Sequence, residues 1–106
     1  MDFVKETVET IKKQFGWKSA CVMIGVKSAT YGEDEGNPWL SFAFKAKAVN
    51  KANLCRITYL VGLDLYRMEF LRVWGSSVKK IESFDGIYCD QLQDLFEEKT
   101  RLYLHL

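Results

Sequence analysis

Apolar positions recur along the chain with two different periods, and the change of period marks the elements. In "DFVKETVETIKKQFG", Val4, Val8, Ile11 and Phe15 fall at i, i+4, i+7 and i+11, one stripe of an α-helix. Asp2 is placed to cap its start and Gly16 to stop it. Glu9 and Lys13 make a favourable i, i+4 pair, and Lys12 with Lys13 suits the negative end of the helix dipole. The period then becomes two. "ACVMIGV" predicts a strand with Val22, Ile24 and Val26 on one face, with Gly25 marking a bulge or a close backbone approach. "YGEDEGNP" predicts a loop. "WLSFAFKAKA" alternates most cleanly, with Leu40, Phe42, Phe44 and Ala46 inward and Ser41, Ala43, Lys45 and Lys47 outward. Beyond a turn at "VNKAN", the strand "LCRITYLV" sets Cys55, Ile57, Tyr59 and Val61 against Arg56, Thr58 and Leu60.

The segment "GLDLYRMEFLRVWG" fits both periods. As a helix it has a stripe of Leu63, Tyr66, Phe70 and Trp74; as a strand it alternates Tyr66, Met68 and Phe70 against Arg67 and Glu69. Turn signals at Gly62–Asp64 and Gly75–Ser77 favour a strand. Its alternation slips at Leu71, so either a bulge resets it or the far half is buried on both faces. The second is expected, with a helix as cover and Arg72 reaching out past Trp74. "VKKIESF" predicts a short strand. "DGIYCDQLQDLFEEKT" predicts a second helix with a stripe of Tyr88, Leu92, Leu95 and Phe96, and with Asp85 and Asp90 near its start. "RLYLHL" predicts a last short strand. The order is helix, about five strands, helix, short strand. It indicates one α+β domain spanning 1–106, an antiparallel meander with one face packed on the helices.

Composition narrows the chemistry. Net charge is only +1 over 106 residues, without the basic surplus of a dedicated duplex-DNA binder. The charged start (Asp2, Lys5, Glu6) is unlike a secretory signal, and no apolar run reaches the roughly 20 residues of a membrane span. Three cysteines, Cys21, Cys55 and Cys89, form no CxxC; they indicate a reducing cytoplasm and, lying in apolar segments, core positions.

No catalytic, cofactor or metal constellation emerges. The single histidine, His105, is penultimate, and one His with three scattered Cys gives no zinc spacing. Glu33–Asp34–Glu35 lacks the ligand alternation of a calcium loop and reads as a solvated acidic loop. Gly75–Ser76–Ser77 reads as a hairpin turn, since no phosphate-loop lysine follows it. The acid pairs Asp85/Asp90 and Glu97/Glu98 suit the helix that carries them. Trp39, Trp74 and Tyr103 read as closing a core or anchoring an interface. The one candidate binding set is basic. Lys45 and Lys47 share a strand face, Lys51 follows in the turn, Arg56 opens the next strand, and Arg67 extends the stripe if the strands pair.

Several short pieces resemble a family of small bacteriophage and prophage proteins. They are Gly25-Val26-Lys27, Phe44-Lys45, Ile57-Thr58-Tyr59, Asp64-Leu65-Tyr66-Arg67-Met68-Glu69-Phe70, Gly86-Ile87-Tyr88-Cys89-Asp90-Gln91-Leu92 and Phe96-Glu97-Glu98-Lys99-Thr100. Together they are spread over most of the chain. Departures fall at Trp74, Cys89, Arg101 and His105; Arg101 stands where the family pattern has a glycine after the second helix. The resemblance implies a phage setting and a fold, and no catalytic residues. The expectation is a non-enzymatic cytoplasmic protein that binds a macromolecule. One such role is inhibition of a host defence nuclease such as a CRISPR effector. The alternative is a nucleic-acid accessory of phage replication or recombination acting through the basic stripe. An unpaired edge strand would also allow a homo-oligomer.

Overall fold

The computed structural model describes residues 2–104. Helix α1 (Phe3–Phe15) starts where expected: Asp2 Oδ1 accepts the Val4 amide at 3.0 Å. It ends at Gly16 in the left-handed region, and Val8, Ile11 and Phe15 are buried. Lys12 pairs with Glu9 one helical turn back, at 3.7 Å, in place of the expected Glu9–Lys13 pair.

The first predicted strand is corrected. Residues 17–25 stay helical, as α2 (Trp17–Ala20) and a π-helical turn (Cys21–Gly25). Val22 is 82% exposed, whereas Ala20 and Ile24, four apart, are buried. The reason is a long-range anchor. The Lys45 amide donates to the carbonyls of Ile24 and Gly25, and the Ala46 amide to Ile24, at 3.0–3.2 Å, satisfying this helical end. Gly25 permits the approach, since a Cβ there would lie 3.2 Å from Lys45 Cβ.

Five strands follow in one antiparallel sheet of order β1-β2-β3-β4-β5. They are β1 (Val26–Asp34), β2 (Asn37–Phe44), β3 (Leu54–Leu60), β4 (Leu65–Trp74) and β5 (Ser77–Ile87). The predicted "YGEDEGNP" loop is a tight hairpin between β1 and β2, turning at Glu35 and Gly36. Helix α3 (Leu92–Thr100) begins later than predicted, after a 3-10 turn (Cys89–Gln91). Asp85, Gly86 and Ile87 therefore belong to β5, and Tyr88 is exposed. Residues 101–104 form no strand, and His105 and Leu106 lie outside the described residues.

The slip at Leu71 has a cause other than the one expected. The register moves from Phe70↔Glu82 to Leu71↔Lys80 and from Tyr66↔Ile87 to Met68↔Phe84, so the extra residues belong to β5. Alternation in β4 never resets. Tyr66, Met68 and Phe70 are buried, while Arg72 and Trp74, further along, are exposed because the core ends there. The two bulges, with Lys79 and Lys80, also make β5 a poor edge for strand addition.

One sheet face packs on the helices around a cluster of phenylalanines. Phe15, Phe42, Phe44, Phe70 and Phe96 are all essentially fully buried. On the other face the sheet is covered by its own side chains. Trp39 lies on Gly32, where a Cβ would come within 2.8 Å of the ring. Arg56 lies over Trp39 at 4.4 Å. Arg67 pairs with Asp85 at 2.8 Å and Lys80 with Glu69 at 2.9 Å. This screen leaves Ser41 and Thr58 buried on what is nominally the open face.

Arg101, which follows α3, adopts the left-handed conformation at φ 61° and donates its amide to Glu97 O at 2.8 Å. A Cβ in that region is strained. Arg101→Gly is therefore expected to raise stability by about 0.5–1 kcal/mol, read as a higher denaturation midpoint.

Candidate functional site

The loop after β2 makes the site. Lys45 leaves the sheet as the chain turns to meet the π-helical turn, so Lys45 and Lys47 do not continue the outer face of β2. The loop is bolted down by side chains. Asn53 Nδ2 donates to Val73 O and Asn53 Oδ1 accepts the Val73 amide, both at 2.8 Å, replacing a strand pair. Asn50 Oδ1 accepts the Ala52 amide at 3.2 Å, and the Val49 amide donates to Thr100 O at 3.0 Å. Lys51 takes a left-handed backbone at φ 71°, and Arg72 Nη1 donates to its carbonyl at 2.9 Å.

Between this loop and the ends of β1 and β4 lies a cleft of about 480 Å³. Lys27, Lys45, Lys47, Lys51 and Arg72 line it, with small or buried residues as its floor and no carboxylate. Three of the five basic residues singled out in the sequence, Lys45, Lys47 and Lys51, thus converge. Arg56 and Arg67 do not, because both point to the outer sheet face, where Trp39 and Asp85 engage them. The expected continuous stripe is thereby corrected. Sequence reasoning missed Lys27 and Arg72. Arg72 did carry a signal, a charge at the inward position two after Phe70.

The charge pattern extends beyond the cleft. Lys79 joins the cations at this end of the sheet, whereas Lys80 is paired with Glu69 and Glu82 accepts from Asn50. The acids Glu33, Asp34, Glu35 and Asp64 occupy the turns at the opposite end, and Asp85 lies near it at the end of β5. A net charge of +1 conceals this separation. Such an arrangement orients an approaching polyanion toward one end.

The cysteines separate by environment. Cys55 is fully buried, and burial followed by the nearby Glu69 charge pushes its thiol well above the ordinary value. Cys21 is half-buried and Cys89 exposed, which corrects the expectation of three core thiols. With Ellman's reagent on folded protein, Cys89 is expected to react first and Cys55 only on unfolding. A Cys89→Ser variant that keeps the fast phase would contradict this. Among the described residues no group of three or more His, Cys, Asp and Glu is placed to hold a metal ion. No described helix is long and apolar enough to cross a membrane.

No family model, curated protein or solved structure matches the chain.

Proposed function

We propose that this protein acts by binding an anionic macromolecule, a nucleic-acid strand, through the cationic cleft. The observation that carries this reading is the convergence of five cations, three from the loop with Lys27 from β1 and Arg72 from β4, on a cleft with no carboxylate in its lining. The cleft offers no exposed aromatic ring for base stacking: its one ring, Phe44, is buried. The contacts would therefore be made to phosphates and would not depend on sequence. The resemblance to phage proteins supports an accessory role on phage nucleic acid.

The test is fluorescence anisotropy of a labelled single-stranded DNA oligonucleotide across a salt series. If all five cations engage phosphates, log K falls against log salt with a slope of about −3.5. A flat titration at low salt would overturn the reading.

A second reading, a protein partner, has its own observation. At the same end of the sheet, the β4–β5 hairpin exposes Trp74 and Val78 on neighbouring strands. An exposed tryptophan is a common interface anchor, and for a phage protein a host defence nuclease such as a CRISPR effector is a suitable partner. This reading expects one stoichiometric protein in a pull-down from host lysate, lost with Trp74→Ala. Recovery of none counts against it.

A further inference from the structure

The acidic end of the sheet carries a second concavity of a different chemistry. A groove of about 510 Å³ runs between α1 and the ends of β3, β4 and β5. Four aromatic rings line it, from Phe3, Tyr59, Tyr66 and Tyr88, together with Asp64 and Gln14. No lysine or arginine lines it. The rings of Tyr59 and Tyr66 are 5.3 Å apart and inclined by 47°, so they form a corner and not a stack. Phe3 and Tyr88 are more than half exposed, standing at the rim.

Two polar features in this groove are set but not fully used. Asp64 adopts a left-handed backbone at φ 53°, with its own amide and that of Leu63 held by the Leu60 carbonyl. The turn so formed presents its carboxylate to Tyr59, whose hydroxyl donates to Asp64 Oδ1. Asp64 forms no ion pair with any described residue. Gln14 Oε1 is buried and has no hydrogen-bond partner among the described residues. A buried polar atom without a partner is costly.

We propose that this groove binds an organic ammonium group. Aromatic faces attract cations, and they do so most strongly in a partly desolvated recess with a carboxylate nearby. A lone carboxylate is too few ligands for a divalent ion. It would also repel an anion, which separates this groove from the cationic cleft. The ligand is either a free quaternary ammonium solute or the side chain of a protein lysine, and the same chemistry recognises both.

The test uses full-length protein with its tyrosine rings observed by NMR. The probes are choline, Nα-acetyl-lysine N-methylamide and the neutral choline isostere 3,3-dimethylbutanol. Saturable shifts of Tyr59, Tyr66 and Tyr88 with choline alone assign a free solute. Shifts with the lysine derivative, with or without choline, assign a protein side chain. Either result supports the site. Asp64→Asn and, separately, Tyr88→Ala are expected to weaken binding roughly tenfold. Tyr88 is exposed, so its truncation leaves the fold intact, and Lys45→Ala leaves binding unchanged. No saturable shift with either cation, or equal shifts with the neutral isostere, would overturn the proposal.

Discussion

Phe96→Ala is expected to cost about 3–5 kcal/mol, the largest loss anticipated for any single truncation in this chain. Phe96 is fully buried on α3, and its ring meets those of Phe15, Phe42, Phe44 and Phe70 at centroid distances of 5.2–6.2 Å. Those four rings come from α1, β2 and β4, so one side chain joins both long helices to the centre of the sheet. Its removal forfeits the transfer energy of the ring, leaves a cavity that rigid neighbours cannot fill, and loses the edge-on contacts with Phe15 and Phe44. A domain of this size holds only about 5–15 kcal/mol in all, so the variant would sit near its unfolding threshold. Urea denaturation should show a much lower midpoint with an unchanged slope. Trp74→Ala, on a half-exposed residue, should move the midpoint little by comparison. A Phe96→Ala loss of under about 1 kcal/mol would contradict the docking of α3 on the sheet.

The fold was legible wherever a local pattern and its partner agreed. The stripe of Val8, Ile11 and Phe15, the cap at Asp2 and the alternation through Phe42 and Phe44 each name their element without outside help. The misreadings share a cause, which is bonding between residues distant in sequence. "ACVMIGV" alternates, but its helical state is held by amides some twenty residues on, at Lys45 and Ala46. A helical signal was present in Ala20 and Ile24, yet the β-branched Val22 between them masked it. The slip at Leu71 came from reading one strand alone. The irregularity lies in β5, where no pattern in β4 could display it.

The candidate site was half legible for a related reason. Lys45, Lys47 and Lys51 are neighbours in sequence, so their convergence needed only a turn. Lys27 and Arg72 arrive from other strands, and Arg56 and Arg67 leave for the far face under the hairpin register Ser41↔Arg56 and Thr58↔Arg67. The aromatic groove was invisible, because Phe3, Tyr59 and Tyr88 come from three separate elements.

The second large effect is electrostatic, and it separates cleft cations from sheet-face cations. Lys45 and Lys47 are exposed, and among the described residues no hydrogen bond or ion pair holds their side chains, so changing them spares the loop that positions them. In single-stranded DNA binding, Lys45→Ala/Lys47→Ala should reduce the salt slope from about −3.5 to about −2, since each lost phosphate contact removes about 0.7. The charge-reversed pair, Lys45→Glu/Lys47→Glu, adds repulsion inside the cleft and should lower affinity on the order of 100-fold at low salt. Arg72 is a poorer probe, because its truncation also frees the Lys51 carbonyl and loosens the loop. Arg56→Ala and Arg67→Ala serve as controls. Both side chains are already engaged on the outer face, by Trp39 and by Asp85, and neither change should alter the slope. Equal losses from all four positions would mean that binding follows overall charge and not the cleft. Loss with Arg56→Ala alone would move the interface to the open sheet face, where Arg56 lies over Trp39.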